Sequence, residues 1–490
     1  MTDLYRESER CWLEKFEYYV RRTPEKRAVA SREVSLTFRQ LYDLAQGFAC
    51  RLSRLGIVEG DYVLCCASDR VEYVAAYMGT LYCRAVFVPL EKDVQKEKFS
   101  SVYGALGGCK VIIGNREHAR EGSTLILTEE IFSLCGEQPR TPYPVPPRDA
   151  LSHVLFTTGS TGACKGVVTD NAQFCQSVYF AEILHQDPSS VMYIFFPTNH
   201  YAFFAYACAT LSVGGAVVLS HGLVGISDFF AALDRYGVNS VFATPSVFNY
   251  LLSYGEKKLR PYAPQMKTLA MAGEKCPQEL QSRLQNFFPD TEIVLWYGST
   301  EAGSISNYSL KKYGVRENCI GKLNRGVCVD FLPVEGAPDL HRLAAVTPYG
   351  MKGYLGEPEL TKTILVDGYV YTDDYGYEKD GLYYVLGRIG SVIISGGYKI
   401  NPGEVEEACL SCKGVVECVC VPLKHEIFGA VPKLVVSAQA GAALSREELT
   451  AHLYARLEAH KVPKVIEFTD EIRKNANGKI DRKFYTESAT

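Results

Sequence analysis

The chain contains 490 residues, of which 47% are hydrophobic and 22% are charged, and its formal net charge is -4. This length exceeds what one hydrophobic core usually organises, so we expect more than one domain, and the composition excludes a disordered or fibrous protein. The 52 basic residues do not outnumber the 56 acidic ones, so the charge gives no support to nucleic acid as a partner.

The N-terminal residues and the cysteines indicate a cellular compartment. Residues 1–7 are charged and lack the apolar core of a secretory signal. The 17 cysteines show no spaced framework, which is typical of reduced thiols, so we expect a cytoplasmic protein. Four cysteines near the C-terminus could form a zinc site. Their positions on a predicted helix and a predicted strand are better explained if they pack as small apolar side chains. These cysteines are Cys409, Cys412, Cys418 and Cys420.

Helix and strand patterns alternate in the N-terminal third. Thr37 and Gln40 form a capping box that begins a helix, and Gly56 ends it. The predicted elements that follow are a strand at 62–66, a helix at 71–82 and a strand at 85–88 closed by Pro89. This alternation predicts an α/β fold with a largely parallel sheet.

Further along, five prolines between Pro139 and Pro147 predict a stiff surface connector. No Asp, Glu, Lys or Arg occurs from Val191 to Ser220. That length suits a membrane span, but Pro197 and several glycines interrupt it, so we predict buried parallel strands and no membrane span.

The last hundred residues mix shorter elements. Within this C-terminal part, a strand is predicted at 430–438 and a helix at 446–460. In the preceding part of the chain, a further strand is predicted at 292–295. We therefore place a domain boundary at Arg388, which divides the chain into 1–388 and 389–490.

The segment 156–166 runs from an apolar strand, predicted at 153–156, into a loop of hydroxyls and glycines. The glycines let backbone N–H groups approach an anion, and hydroxyls and a lysine add donors, so the loop suits a polyphosphate. Its spacing differs from that of the nucleotide-triphosphatase loop, and a polar surface turn is the alternative. The candidate ligands are Thr157, Thr158, Gly159, Ser160, Thr161, Gly162 and Lys165.

Three further motifs carry groups that suit a nucleotide. In segment 296–303, Tyr297 can stack on a base, Thr300 can bond a phosphate and Glu301 can hold magnesium through hard oxygen. Asp374 can accept from both ribose hydroxyls. In segment 475–482, an Asn-Gly turn presents Lys479. Each motif taken alone also fits an ordinary solvated turn.

These four motifs, in this order and over this length, resemble those of the adenylate-forming superfamily of acyl-CoA synthetases, peptide-synthetase adenylation domains and luciferases. The resemblance covers essentially the whole chain and implies a large N-terminal domain of layered, mostly parallel sheets with helices, followed by a small mobile α+β C-terminal domain. It also implies ATP and Mg²⁺ as cofactors, with CoA or a carrier-protein phosphopantetheine as the thiol.

The resemblance also implies roles for individual residues. Residues 157–166 would hold the β- and γ-phosphates, Glu301 the magnesium, and Asp374 and Arg388 the ribose. Lys479 would bridge the substrate carboxylate and the adenylate phosphate. Segment 272–277 resembles the lining of the acid and adenine sites, which adds Gly273 and Glu274 to the nucleotide site. Segment 395–406 resembles the loop of the thiol-transfer state.

The same resemblance suggests where the acid and the moving parts lie. His200 is followed by Tyr201, where amino-acid-activating relatives carry Asp, so an α-amino acid is not expected and an apolar or aryl acid is. The implied pocket residues are His200, Tyr201, Phe204, Ala272 and Gly298; some of these aromatics could instead be core. The implied thiol-transfer loop and hinge residues are Gly396, Gly397 and Gly390, the last replacing the usual Asp or Lys.

Competing functions remain open at this stage. The first is an acid–CoA ligase and the second a free-standing adenylation enzyme that loads a carrier protein; both act on a small carboxylic acid. A non-catalytic nucleotide-binding protein is a third, disfavoured by the presence of both Glu301 and Lys479, and a luciferase-like oxidation is remote.

Overall fold

The computed structural model describes residues 11–32, 34–66, 70–136, 138–158, 164–220, 226–335, 337–395, 398–439, 444–474 and 479–487. The strands of these residues form three sheets. They are β1 (Arg27–Ser31), β2 (Val34–Thr37), β3 (Tyr62–Cys66), β4 (Val86–Leu90), β5 (Val111–Gly114), β6 (Thr124–Leu127), β7 (Leu151–Thr158), β8 (Cys164–Asp170), β9 (Val191–Ile194), β10 (Ala216–Leu219), β11 (Ser240–Ala243), β12 (Thr268–Met271), β13 (Glu292–Ser299), β14 (Gly303–Ser309), β15 (Cys319–Leu323), β16 (Cys328–Val334), β17 (Ala337–Val346), β18 (Gly353–Tyr354), β19 (Leu365–Val366), β20 (Tyr369–Lys379), β21 (Leu382–Arg388), β22 (Ile393–Ser395), β23 (Tyr398–Ile400), β24 (Val415–His425), β25 (Gly429–Ala438) and β26 (Val465–Thr469).

The α-helices of the described residues connect and cover these strands. They are α1 (Trp12–Arg22), α2 (Phe38–Arg54), α3 (Val71–Tyr82), α4 (Lys96–Ala105), α5 (Ser177–Ile183), α6 (Tyr201–Ser212), α7 (Ile226–Tyr236), α8 (Pro245–Tyr254), α9 (Glu256–Leu259), α10 (Gln278–Phe287), α11 (Leu310–Tyr313), α12 (Pro358–Ile364), α13 (Pro402–Leu410), α14 (Arg446–Tyr454) and α15 (Arg482–Glu487).

The largest sheet has a parallel half and an antiparallel half. Strands β1, β10, β9, β11, β12 and β13 lie side by side in parallel, as the alternating pattern predicts. Strands β14, β15, β21, β20, β17 and β16 continue the sheet in antiparallel order. The sequence patterns did not predict this second half, because several of its pairs, such as β15 with β21 and β17 with β20, join strands that are far apart in the chain.

Helices α2, α3 and α6 lie between the largest sheet and a second sheet in which β7, β4, β3, β5 and β6 are parallel. One hydrophobic cluster joins these helices to Ile194 of the largest sheet and Phe87 of the second. The predicted capping box is confirmed: Thr37 Oγ1 accepts from Gln40 N, and Thr37 N donates to Gln40 Oε1. It fixes the start of α2 against this core.

The charge-free segment 191–220 forms β9, α6 and β10, and the predicted buried parallel strands are confirmed. Every residue of α6 is buried, so this helix can be apolar on all sides. Among the helices that the structure describes, none is long and apolar enough to cross a membrane.

The third sheet belongs to the C-terminal part, with β22, β23, β24 and β25 antiparallel and β26 parallel to β25. It has a hydrophobic cluster of its own, and the four cysteines Cys409, Cys412, Cys418 and Cys420 pack inside that cluster. Strand β21 ends at Arg388 and β22 begins at Ile393. The division of the chain at Arg388 stays a prediction.

Two predicted element ends are wrong. Pro89 lies within β4 rather than closing it; β7 is paired with β4 only at Phe87, so one side of β4 tolerates a residue that has no N–H. The helix predicted at 446–460 ends at Tyr454, because the chain turns there to bury Leu457 and Val462 in the C-terminal cluster.

Candidate active site

A cleft of about 910 Å³ lies beyond the carboxyl ends of the parallel strands β9, β11, β12 and β13. Parallel strands deliver the residues that follow them to the same edge of a sheet, which is where open α/β folds bind ligands. Each of these strands leads into lining residues of the cleft, namely Phe196, Ser246, Glu274 and Tyr297.

One wall brings together three residues that the sequence assigned to a nucleotide. Tyr297 donates its hydroxyl hydrogen to Asp374 Oδ2 at 2.6 Å, and Arg388 Nε lies 3.2 Å from Asp374 Oδ1. Burial, followed by the charge of Asp374, raises the pKa of Tyr297 well above its ordinary value, so the phenol stays protonated and donating. The bond fixes the Tyr297 ring, and the oxygens of Asp374 keep lone pairs for ribose hydroxyls.

Glu301 lies on the same wall beside Thr300. Tyr354, on β18, donates a hydrogen bond to Glu301 Oε1 at 3.0 Å, and Lys165 Nζ lies 5.6 Å from the centre of the Tyr354 ring. Burial, with the charge of Glu301, raises the pKa of Tyr354. Tyr354 therefore holds the carboxylate that was predicted to bind magnesium.

Three of the predicted phosphate-binding residues, Thr157, Thr158 and Lys165, belong to the paired strands β7 and β8. Strands β7 and β8 place Thr157 opposite Lys165, and both residues line the cleft. Thr158 ends β7. The remaining predicted ligands Gly159, Ser160, Thr161 and Gly162 lie outside the described residues.

Lys479 comes from the C-terminal part and enters the cleft at Gly273. A Cβ atom on Gly273 would lie 3.0 Å from Lys479 Cε, which is a tight contact, and the φ of +87° at this position favours glycine. Burial lowers the pKa of Lys479, against a raising effect of Glu274. Glu274 itself accepts from Ser246 Oγ at 2.7 Å.

His200 stands before α6 and also faces this lysine. Its Nδ1 accepts from Ala202 N at 3.2 Å, so the ring caps the helix. Burial, followed by the positive charge of Lys479, lowers the pKa of His200 to about 3. The imidazole is therefore neutral at ordinary pH.

Contacts between the two parts of the chain hold Lys479 in the cleft. Lys275 Nζ lies 2.5 Å from Glu407 Oε2, and Gln278 N donates to Glu407 Oε1 at 3.1 Å. Asn249 Nδ2 donates to Val416 O at 2.8 Å. These contacts join the segments that follow β11 and β12 to helix α13 and strand β24 of the C-terminal part.

Helix α6 lines the region expected to receive the acid, but not with all the predicted residues. Tyr201, Ala202, Ala205 and Tyr206 line the cleft, because residues three and four positions apart share a helix face. Phe204 lies on the opposite face, is 1% exposed and packs against Tyr77, Phe87 and His153. Its prediction as a pocket residue is wrong, and it is a core residue.

Ala272 and Gly298 line the cleft as predicted. A Cβ atom on Gly298 would lie 2.1 Å from Gly303 O, so a side chain does not fit at this position. Gly390 is exposed in the turn Ile389–Ser391, with open space around it. Gly396 and Gly397 lie outside the described residues.

Sequence reasoning missed three residues of this cleft: Tyr354, Tyr206 and Trp296. Tyr354 contacts a glutamate 53 positions away, and local patterns carry no signal for such a contact. Tyr206 could have been found, because it follows Tyr201 and Ala202 at helical spacing. Trp296 was included in a motif but was assigned no role.

The fold and this cleft define an adenylate-forming enzyme. The family model described as "AMP-binding enzyme" matches residues 16–342, and "AMP-binding enzyme C-terminal domain" matches residues 404–479. The chain belongs to the AMP-binding enzyme family, and it is an enzyme of the AMP-forming acid–thiol ligase class.

Individual relatives extend along nearly the whole chain. A feruloyl-CoA synthase from Amycolatopsis sp is 28% identical over 480 residues, covering 94% of this chain and 95% of the relative. An oxalate–CoA ligase from Arabidopsis thaliana is 25% identical over 502 residues, covering 95% and 96%. The crystal structure of ATP-bound MatB from Rhodopseudomonas palustris superimposes with a TM-score of 0.86 at 20% identity, covering 96% of this chain and 98% of that one. That structure supports the same fold.

Proposed function

We propose that the chain activates a carboxylic acid with ATP and passes the acyl group to the thiol of CoA. In the first step an oxygen of the carboxylate attacks the α-phosphorus, the bond to the β-phosphate breaks, and pyrophosphate leaves. In the second step the sulfur attacks the acyl carbon, the bond to the AMP oxygen breaks, and the thiol proton is released. The relatives named above are a CoA synthase and a CoA ligase, which favours CoA over a carrier-protein thiol.

One observation carries the first step: Lys479 lies against Gly273 in a cleft that also contains Glu301, Tyr297 and Asp374. A carboxylate and a phosphate repel each other as they meet, and a cation aimed at the developing charge removes that cost. Burial strengthens this effect, because the same burial that lowers the pKa of Lys479 also reduces screening by water. His200 is neutral and therefore adds no competing charge.

The donor set fits a magnesium ion. Glu301 offers hard carboxylate oxygen, and Tyr354 fixes the orientation of that carboxylate. Glu301 would hold the ion, with Thr300 beside it on the phosphate. When bound, magnesium neutralises charge on the phosphates and on the leaving pyrophosphate.

The hinge and the thiol-transfer loop belong to the same proposal. After adenylation Lys479 would leave the cleft, and the segment that carries Gly396 and Gly397 would approach it, with rotation at Gly390. The contacts of Glu407 with Lys275 and with Gln278 N would have to break in that movement. Residues 1–388 and 389–490 would then move as the two bodies.

The acid is proposed to be an aryl or apolar acid rather than an α-amino acid. Tyr201 occupies the position at which amino-acid-activating relatives carry Asp, and the cleft wall around it is aromatic. The named relatives differ in their acids, feruloyl in one and oxalate in the other, so they do not fix the acid of this chain.

The test is pyrophosphate release with ATP and magnesium over aliphatic, aryl, dicarboxylic and amino acids, each with and without CoA. We expect sustained release that depends on CoA and yields an acyl-CoA by mass. If pyrophosphate release stops after one turnover and CoA does not restore it, a carrier protein replaces CoA as the proposed acyl acceptor. Release that is absent with every acid would refute the proposal.

A further inference from the structure

Several buried polar atoms on the aromatic wall of the cleft have no hydrogen-bond partner among the described residues, and Tyr201 OH, Tyr206 OH and Trp296 Nε1 are three of them. Tyr206 OH and Trp296 Nε1 are buried and form no hydrogen bond within the described part of the chain. Tyr206 is 7% exposed, Trp296 is 7% exposed, and both line the cleft. Buried polar groups are nearly always hydrogen-bonded, so such atoms call for an explanation.

These two residues lie along a series of aromatic contacts that begins at the lysine. A Cβ atom on Gly273 would lie 3.4 Å from Lys479 Nζ and 3.5 Å from Phe196. Phe196 stacks on Phe242 at 4.5 Å, and Phe242 stacks on Tyr206 at 3.5 Å. The series therefore leads from the reacting end of the cleft towards its interior.

The series continues beyond Tyr206. Trp296 meets Tyr206 edge to face with ring centres 5.6 Å apart, and Phe180 meets Trp296 in the same way at 5.2 Å. Flat aromatic walls of this kind suit a planar ring between them. Ala202 and Ala205 supply small side chains on the same helix face.

The charge around this region is as informative as its shape. No Asp, Glu, Lys or Arg occurs from Val191 to Ser220, the segment that includes Tyr206. His200 is neutral because its pKa is lowered to about 3. The segment that contains Tyr206 therefore offers no cation to a second carboxylate on the acid, and a carboxylate buried without a cation is strongly unfavourable.

Trp296 and Tyr206 differ in what they require of a ligand. An indole N–H only donates, so Trp296 needs an acceptor, whereas the Tyr206 hydroxyl both donates and accepts. An oxygen substituent on a ring satisfies both, since a phenolic oxygen accepts from Trp296 and exchanges a hydrogen bond with Tyr206. A methyl group of similar size satisfies neither.

We propose that the acid substrate is a neutral aryl acid whose ring carries an oxygen substituent, and that Trp296 and Tyr206 hydrogen-bond this oxygen. This rests on the proposed function and narrows its substrate class. The two residues act as specificity determinants for the ring, remote from the carboxylate that meets Lys479.

The test compares matched acids in the adenylation assay with ATP and magnesium. Benzoic and cinnamic acids are each used unsubstituted, with one ring methyl, and with one ring hydroxyl at each position, together with oxalic acid. We expect at least one hydroxy acid to exceed both its parent and its methyl analogue in kcat/KM by about 10- to 100-fold, because the buried donors are left unpaired by the other two.

Variants then assign the preference to residues. Tyr206→Phe removes one oxygen from a stacked ring, and Trp296→Phe removes the N–H. Each should lower the ratio of kcat/KM for the hydroxy acid to kcat/KM for the methyl acid at least about fivefold. Tyr193→Phe is the matched control, because Tyr193 is a buried tyrosine outside the cleft lining.

The outcomes separate this inference from the proposed function. Equal rates for the methyl and hydroxy acids, faster turnover of oxalic acid than of every aryl acid, or an unchanged ratio in both cleft variants would overturn the inference and leave acid activation standing. Loss of turnover for both acids in equal measure would show a structural role only and would also overturn it. Failure of every acid to release pyrophosphate would overturn both.

Discussion

The two walls of the cleft differ in how their polar groups are satisfied. On the nucleotide wall, Asp374 accepts from Tyr297 and Arg388, and Glu301 accepts from Tyr354. On the acid wall, the rings are aromatic, and Tyr206 OH and Trp296 Nε1 have no partner among the described residues. The first wall is organised before a ligand arrives, whereas the second leaves hydrogen bonds for the ligand to complete. We therefore expect the nucleotide wall to supply the chemistry common to many acids and the acid wall to choose among the acids.

Replacement of Lys479, which reaches the cleft between these two walls, should have the largest effect on activity. Lys479→Ala should lower the rate of adenylation by at least about 10²- to 10³-fold, because the developing charge loses its cation. Thiol transfer from a preformed acyl adenylate should be retained. The two half-reactions are measured separately, by pyrophosphate release and by thioester formation, and an equal loss in both would contradict the role given to the lysine.

The next effect tests the nucleotide wall. Glu301→Gln should lower the adenylation rate at a fixed low magnesium concentration by about 100-fold, because a neutral amide replaces the charged oxygen ligand. The measurement is a magnesium titration of pyrophosphate release. A titration curve that superimposes on that of the unaltered protein would remove Glu301 from the metal site.

A smaller effect is expected at the residue that holds this carboxylate. Tyr354→Phe removes the hydrogen bond to Glu301 Oε1 and should raise the magnesium concentration needed for half-maximal rate by about tenfold. The maximal rate at saturating magnesium should recover. If the rate stayed low at every magnesium concentration, Tyr354 would act on something other than metal binding.

The last prediction concerns stability behind the acid wall. His153 is fully buried between Phe174 and Phe204, and burial lowers its pKa from 6.5 to about 3. Below pH 6.5 the imidazole of His153 therefore binds a proton in the unfolded chain but not in the folded chain. Its contribution to the free energy of unfolding is fully present above pH 6.5 and decreases as the pH falls towards 3. His153→Gln should reduce this loss by about 1.4 kcal/mol per pH unit.

Denaturant unfolding at several pH values between 4 and 7 measures this slope. His341→Gln at an exposed position is the control and should leave it unchanged. Equal slopes in the His153 variant and the unaltered protein would show that the imidazole is not held neutral.

Sequence patterns predicted the parts of the molecule that depend on neighbouring residues. The capping box at Thr37 and the helix Val71–Tyr82 follow local rules, and both appear as predicted. The end of the helix predicted at 446–460 depends on where Leu457 packs, so local rules failed there. The antiparallel half of the largest sheet likewise depends on pairing between distant strands such as β15 and β21.

The same distinction holds in the cleft. Tyr297, Glu301, Asp374 and Lys479 could be identified because family motifs mark them, and the structure brings all four to one cleft. Phe204 was assigned to the pocket because two adjacent aromatics cannot be sorted by composition; the turn of α6 directs Tyr201 to the cleft and Phe204 to the core. Their assigned roles remain predictions for the experiments above.

The close approach of Lys479 to Gly273 also limits how this chain can diverge. A side chain at position 273 would crowd Lys479, whose Cε would lie 3.0 Å from the added Cβ, and would strain a backbone with φ of +87°. We therefore expect a single nucleotide change that introduces alanine there to displace Lys479 and slow acid activation, while every charged and aromatic residue of the cleft stays intact. A descendant carrying that change would preserve the charged and aromatic motif residues while its first half-reaction is expected to be slowed, so this glycine is worth inspecting together with the lysine.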